Sequence, residues 1–142
     1  MTLFDLAQRL VGEVKEWPGV ANDPFIVWCH GSTTLGEAAD EVPWCSSFVN
    51  RLAWLLRLPR SKSAAARSWL EVGESIRLED ARPGYDVVVF TRGTSPTSGH
   101  VAIFAGLEGN TVRVVGGNQT NAVTVAAFPR DSVIGVRRLK AA

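Results

Sequence analysis

Residues 83–104, PGYDVVVFTRGTSPTSGHVAIF, contain the point at which the chain changes from helical to strand character. Two β-branched runs, 87–90 and 101–104, lie on either side of a loop rich in glycine, serine and threonine. Three more runs of the same kind follow, at 112–115, 123–125 and 133–136. Short β-branched runs separated by turn residues are typical of an antiparallel meander.

The sequence before this point has helical periodicity. Apolar residues recur at three- and four-residue spacing over 3–14, and Thr2 with Asp5 predicts a capping box at the start of that helix. A second helix is expected to begin near Pro43, and a third, short helix is expected after Ser63. Between the first two lies a long irregular connection with one short helix near 24–29. Helices followed by strands predict an α+β fold, with N-terminal helices packed on a C-terminal antiparallel sheet in one domain, 1–142.

The composition is that of a globular domain that carries little net charge. Of 142 residues, 46% are hydrophobic and 20% are charged, and the net charge is +1. This balance argues against nucleic acid as a partner. No apolar run is long enough to span a membrane, and the charged N-terminal segment lacks the apolar stretch of a signal peptide. We therefore expect a monomer that is made in the cytoplasm without a signal peptide and does not insert into membranes.

Two cysteines and two histidines limit the side-chain chemistry available: Cys29, Cys45, His30 and His100. A cytoplasmic start argues against a disulfide bond between the cysteines. As a metal-binding set the four residues are poorly spaced, because there is no CxxC pair and the adjacent Cys29 and His30 point apart. We expect neither a metal nor another cofactor.

Cys45 is the better placed of the two cysteines for catalysis. It lies at the start of the second predicted helix, where free main-chain N–H groups and the positive end of the helix dipole stabilise a thiolate. A nucleophilic cysteine also needs a base within hydrogen-bonding reach. The alternative is that Cys45 is a small buried hydrophobic residue.

His100 is the candidate base, because it opens the strand run 101–104 directly after a flexible loop. If the next hairpin turns at residues 108–110, His100 lies opposite Gly117, Asn118 or Gln119, depending on the length of the loop. A three-residue loop would place Asn118 directly across from His100. A carboxamide in this position accepts the ring N–H and fixes the tautomer of the imidazole.

Five segments together resemble the CHAP/NlpC-type papain-like cysteine peptidases, many of which are phage endolysins or cell-wall hydrolases. The segments are PWCSSFVN at 43–50, AARSWL at 65–70, PGYDVVVF at 83–90, GHVAIF at 99–104 and GGNQ at 116–119. The resemblance implies a papain-like fold with Cys45 as nucleophile, His100 as base and Asn118 as the third residue. Gln119 is the next candidate for that third role.

Two positions depart from the pattern of these families. One residue is inserted into the usual Gly-Asp pair, which gives Gly84-Tyr85-Asp86. The acidic residue that often orients the histidine, two positions before the asparagine, is replaced here by Gly116. The second departure leaves the identity of the orienting residue open between Asn118 and Gln119.

The resemblance also implies a substrate and a setting. The expected partner is bacterial peptidoglycan, in which the enzyme would cut an amide bond as an endopeptidase or amidase. We expect a phage endolysin that acts at the cell wall after release from the cytoplasm. The alternatives are a secreted interbacterial toxin with the same chemistry and a non-catalytic module that binds the wall.

Four residues are candidates for contact with the substrate. Trp17 and Trp28 flank or lie within the irregular connection, where they would line a groove. Glu41, just before the cysteine helix, would hold a substrate amine or simply complement the helix dipole. Trp44 directly precedes the predicted nucleophile and completes the set.

Overall fold

The computed structural model describes residues 1–140 and has the predicted α+β architecture. Three α-helices lie in the first half of the chain: α1 (Leu3–Arg9), α2 (Pro24–His30) and α3 (Cys45–Leu55). Short 3₁₀ helices occur at Ala66–Glu71, Leu78–Asp80 and Arg130–Ser132. The helices pack on one side of the sheet, as the sequence predicted.

The sheet has six strands, all paired antiparallel, in the order β1-β6-β2-β3-β4-β5. Strands β2 to β5 form the expected meander, and β6 returns to pair with the free edge of β2. The six strands are β1 (Glu74–Ile76), β2 (Asp86–Thr91), β3 (Gly99–Glu108), β4 (Thr111–Gln119), β5 (Ala122–Pro129) and β6 (Val133–Arg138). The sequence did not predict β1, because this strand has only three residues and lacks a β-branched run.

Local sequence signals predicted some of the helix boundaries correctly and others incorrectly. Thr2 and Asp5 form the predicted capping box, and the short helix expected near 24–29 is α2. The first helix is shorter than its periodicity suggested, since it ends at Arg9 and the chain continues in turns. The third predicted helix is a 3₁₀ helix. Residues 10–14 nevertheless bury Val14, so the apolar spacing there reflects packing rather than continued helix.

The β3–β4 hairpin has a shorter loop than expected. Only residues 109–110 connect the strands, so the predicted loop of three residues is wrong. A bulge between Phe104 and Gly106 then shifts the register by one residue. The bulge compensates for the missing loop residue, and at its inner end the hairpin has the register that a three-residue loop would have given.

Both faces of the sheet are buried, each by a different set of residues. The face toward the helices holds Val101 and Ile103 of β3 and forms one core with α1, α2 and α3. The opposite face holds Phe90, Ala102 and Phe104 in a second, smaller cluster. His100 shares its face with Ala102, because side chains alternate along a strand. Among the described residues, no helix is both long enough and apolar enough to cross a membrane.

Candidate active site

Cys45 is the first residue of α3. This helix packs against strands β3 and β4 of the sheet. Trp44 precedes it as the N-cap residue and contributes no side-chain cap. The Trp44 ring packs so closely on Gly117 of β4 that a Cβ there would lie 2.6 Å from the ring. This contact fixes the start of α3, and therefore Cys45, against the strand that ends at the site.

The environment of Cys45 opposes a free thiolate in the resting protein. Burial raises the pKa of the Cys45 thiol, whereas the main-chain N–H of Val101, the charge of Arg92 and the first N–H groups of α3 act in the opposite direction. The expected stabilisation by the helix start is therefore present, but burial outweighs it.

The imidazole of His100 is held by Gln119. Nε2 of His100 lies 2.9 Å from Oε1 of Gln119. The amide nitrogen of Gln119 donates to the main-chain oxygen of Thr124 at 2.8 Å and to its hydroxyl at 3.2 Å, so the amide oxygen is the atom that faces the ring. Nε2 of His100 is consequently the protonated nitrogen and the donor. Nδ1 is then the free base, and it is buried without a hydrogen-bond partner among residues 1–140.

The main chain at the end of β4 explains why Gln119, rather than Asn118, reaches the histidine. Asn118 has a left-handed conformation, with φ +57°, which turns the chain out of the regular strand. The next side chain, Gln119, folds back over Gly116, where a Cβ would lie only 2.5 Å from Oε1 of Gln119. The glycine that replaces the family's acidic residue thus leaves the space that the Gln119 carboxamide occupies.

The structure reverses the order of the two candidates for the third residue. Asn118 borders the same groove as His100, yet its side chain makes no hydrogen bond with the described residues. Asn118 was expected opposite His100 on the condition that regular strand pairing continues to the end of β4. The left-handed turn at Asn118 ends that regularity, and the contact expected of Asn118 passes to Gln119.

Aromatic rings surround His100 on the face of the sheet away from the helices. The Phe128 ring centroid lies 5.2 Å from that of the imidazole, and Phe90 stacks on it at 6.2 Å. Burial lowers the pKa of His100; the hydrogen bond to Gln119 raises it, and the charge of Arg92 lowers it. A neutral imidazole with one free nitrogen is the form that accepts a proton.

An open groove of about 520 Å³ gives access to this histidine. Its lining combines polar groups around the imidazole with a floor formed by β5. The lining residues are Arg92, His100, Asn118, Gln119, Thr120, Thr124, Val125, Ala126, Ala127 and Phe128. No aspartate or glutamate is among them, and the positive charge of Arg92 is therefore uncompensated within the groove.

The structure separates the four predicted substrate contacts from this groove. Trp44 is fully buried, and its Nε1 donates to Glu16 at 3.0 Å, so its assignment as a substrate contact is wrong. It supports the site from within the core. Trp17 and Glu41 are exposed but do not line the groove.

Trp28 belongs to a different surface. Its ring lies 4.3 Å from the guanidinium carbon of Arg51, which also contacts the ring of Trp54 at 4.8 Å. Trp54 follows Cys45 by nine residues along α3, roughly 14 Å at the rise of an α-helix. Trp28 therefore packs near the end of α3 opposite to Cys45.

Cys29 and His30 lie in the core rather than at the groove. Both are fully buried, and burial raises the pKa of the Cys29 thiol. Nδ1 of His30 lies 2.8 Å from the hydroxyl of Ser47, which links α2 to α3. Both cysteines are free, and no three His, Cys, Asp or Glu side chains in the described part of the chain are grouped to hold a metal ion.

Asp86, which follows the inserted residue Tyr85, also has a structural role. It is buried and accepts two hydrogen bonds at 2.8 Å from the guanidinium of Arg138. This pair joins the start of β2 to the end of β6. Asp86 therefore belongs to the frame of the sheet and does not line the groove.

Sequence reasoning missed Arg92 and Thr124. Arg92 directly follows the last residue of β2, and its position at the start of the loop that leads to His100 was the available signal. Thr124 offered no comparable signal, because it fixes Gln119 only through a turn of residues with left-handed backbone, Thr120 and Asn121.

A helix-borne cysteine packed on an antiparallel sheet, with a histidine at the start of a central strand, defines a fold of the papain-like class. The sequence profile of the CHAP domain matches residues 37–118, which is more than half of the chain. The chain therefore belongs to the CHAP domain family. The match ends at Asn118, one residue before the glutamine that contacts His100.

A solved structure shows the same fold. It is a crystal structure from Staphylococcus aureus subsp. aureus Mu50, described as similar to a lipoprotein of the NLP/P60 family. It aligns with a TM-score of 0.52 at 20% sequence identity and covers 99% of this chain. The present chain spans only 41% of the length of that protein. No curated protein sequence matched the chain. The family and the fold support a function of the peptidoglycan-hydrolase type.

Proposed function

We propose that this CHAP domain hydrolyses an amide bond of peptidoglycan, with Cys45 as nucleophile, His100 as base and Gln119 as the residue that orients His100. The observation that carries the proposal is the state of the imidazole. Its Nε2 is fixed by a carboxamide whose own orientation is fixed, and its Nδ1 is buried, basic and unpartnered among the described residues. A buried polar atom without a partner is uncommon and calls for a functional explanation.

Proton transfer from the thiol requires Nδ1 of His100 to face Cys45. The main-chain N–H of Val101, which follows His100 directly, is among the groups that act to lower the pKa of Cys45. Within the imidazole, Nδ1 is the ring nitrogen nearer the main chain, whereas Nε2 extends away toward Gln119. Since Gln119 occupies Nε2, Nδ1 is the nitrogen left free to accept the thiol proton.

The proposed reaction begins from a neutral thiol and a neutral imidazole. Sγ of Cys45 bonds to the carbonyl carbon of the substrate while its proton passes to Nδ1 of His100. The N–H of Cys45 and one further donor hold the oxyanion. The C–N bond then breaks, and Nδ1 returns the proton to the leaving amine. Water hydrolyses the resulting thioester and restores the thiol.

The test compares two variants that each remove one buried thiol. Cys45→Ala should abolish the release of soluble fragments from purified peptidoglycan, and also the clearing of permeabilised cells. Cys29→Ala should keep most of the activity, because Cys29 lies in the core away from the groove. Circular dichroism would establish that both variants are folded. Fragment release by a folded Cys45→Ala protein would refute the mechanism.

The same assay separates the non-catalytic alternative. A wall-binding module would sediment with peptidoglycan and release nothing, with or without Cys45. The retained set of cysteine, histidine and carboxamide favours the enzyme, since binding alone requires neither a thiol nor a free base.

For the biological setting we propose a phage endolysin, with an interbacterial toxin as the alternative. An endolysin should lyse its host from within when it is produced together with a protein that opens the inner membrane. A toxin should act when it is delivered from a neighbouring cell. In both settings Cys45→Ala is the inactive control.

A further inference from the structure

The groove beside His100 contains a cation with no partner in the protein. Arg92 is exposed at the end of β2, and its guanidinium forms neither an ion pair nor a hydrogen bond with residues 1–140. It lines the groove together with His100 and Gln119. Its charge acts to lower the pKa of both Cys45 and His100.

The surrounding loop holds Arg92 in a defined place. Residues 92–98 connect β2 to β3, and Arg67 fixes the far part of this loop. Its Nε donates to the main-chain oxygen of Ser98 and its Nη2 to that of Ser95, both at 2.8 Å. Gly99 allows the close return of the chain, since a Cβ there would lie 2.7 Å from the Phe90 oxygen. Arg92 therefore lies at the start of a loop that hydrogen bonds from Arg67 hold in place beside the groove.

The chemistry of the groove indicates its ligand. The guanidinium offers a planar set of donors that matches a carboxylate. No acidic side chain among the lining residues competes for it. The floor of small and apolar β5 side chains, including Ala126 and Ala127, leaves room for a peptide backbone with short side chains.

We propose that Arg92 is a specificity-determining residue that binds a free carboxylate of the substrate peptide, adjacent to the amide bond cut at Cys45. This inference rests on the proposed function for the identity of the substrate. It assigns to the enzyme a preference for peptidoglycan stem peptides whose carboxylate is free over those in which it is amidated.

The experiment measures binding and cleavage separately. Two stem tetrapeptides serve as probes, identical except that the glutamyl α-carboxylate is free in one and a carboxamide in the other. Binding is measured by calorimetry with Cys45→Ala protein, which cannot turn the peptides over. The free carboxylate should bind about tenfold more tightly, as expected for a charge-assisted hydrogen bond in a partly exposed site.

Variants at two arginines supply the control. Arg92→Gln, combined with Cys45→Ala, should remove the preference, and Arg92→Lys should retain part of it because the charge remains. Arg9→Gln should leave the preference intact, since Arg9 is an exposed arginine on α1 outside the groove. Equal binding of the two peptides, binding of neither, or a preference that survives in Arg92→Gln would overturn the inference.

Cleavage by the protein with Cys45 intact distinguishes this failure from failure of the proposed function. If the carboxylate preference is present in binding but neither peptide nor whole peptidoglycan is cut, the proposed catalysis fails while the role of Arg92 stands. If both peptides are cut and Arg92→Gln slows both equally, Arg92 acts on the Cys45–His100 pair instead, and the inference is wrong.

Discussion

At the scale of single residues, the hydrogen bond between Gln119 and His100 predicts an order of mutational effects. Gln119→Ala should lower kcat by about 10²–10³-fold, because the imidazole loses the acceptor that fixes its tautomer. Gln119→Glu should recover part of the rate, since an acceptor oxygen is restored. Asn118→Gly should cost less than about tenfold, because glycine adopts the positive φ of this position freely.

Rate assays on peptidoglycan with these variants would check the prediction. Gly116→Ala is a second way to disturb the same contact, because its Cβ would overlap Oε1 of Gln119. A greater loss from Asn118→Gly than from Gln119→Ala would return the orienting role to Asn118.

The protonation states of the proposed reacting pair, Cys45 and His100, predict a pH dependence. The pKa of His100 lies below its ordinary value, and that of Cys45 lies above its own. His100 must be neutral to accept the thiol proton, so activity should fall only as the pH drops below the ordinary histidine value of about 6.5. Alkylation of Cys45 by iodoacetamide should accelerate through the alkaline range, where the thiol ionises.

A preformed thiolate–imidazolium pair would behave differently. It would give a plateau of rapid alkylation that extends into the acidic range. The measurement is the alkylation rate between pH 5 and 10, with the Cys45→Ala protein as the background for Cys29. An acidic plateau would contradict the neutral pair described above.

At the scale of secondary-structure elements, the site depends on how closely α3 approaches β4. A Cβ at Gly117 would meet the Trp44 ring at 2.6 Å and Cβ of Phe48 at 2.9 Å. Gly117→Ala should therefore push back the start of α3 and destabilise the fold by about 1–3 kcal/mol. It should also lower activity, because Cys45 moves with the helix.

Gly106→Ala is the matched control for this prediction. Gly106 lies in the neighbouring strand β3, and a Cβ there would meet no atom within 4 Å. Chemical denaturation and peptidoglycan release, measured on both variants, give the comparison. Equal stability and activity in the two variants would show that the contact between Trp44 and Gly117 does not position the cysteine.

At the scale of the whole molecule, one core joins the two ends of the chain. Leu3 and Ala7 of α1 belong to the same buried cluster as Leu139, which follows β6. The main-chain N–H of Phe4 also donates to the Gly84 oxygen, just before β2. Because both buried clusters share the strands of one sheet, we expect the chain to unfold as one cooperative unit.

Thermal unfolding followed by two probes would test this expectation. Tryptophan fluorescence reports mainly on the helical half, which contains all five tryptophans, and far-ultraviolet circular dichroism reports on helices and strands together. The two transitions should coincide. Separate midpoints would indicate that the helical half and the sheet are distinct folding units.

The sequence by itself determined the class of fold, the antiparallel meander and the positions of Cys45 and His100. These features depend on local signals: β-branched runs between turns, an apolar helix stripe, and residues at the starts of elements. Those local signals could not decide whether Asn118 or Gln119 contacts His100. The contact depends on the left-handed backbone of Asn118 at the end of β4, which turns the chain out of the regular strand in the assembled sheet.

Which functional side chains are buried was likewise decided only by the tertiary structure. The start of a helix predicted a stabilised thiolate at Cys45, yet packing against the sheet desolvates the sulfur and outweighs the helix N–H groups. The same packing buries Trp44, so this side chain cannot contact a substrate. It also places Arg92, which follows β2, in the groove with His100. Sequence patterns report what each element favours locally, whereas desolvation and contacts between distant residues arise only when the elements pack together.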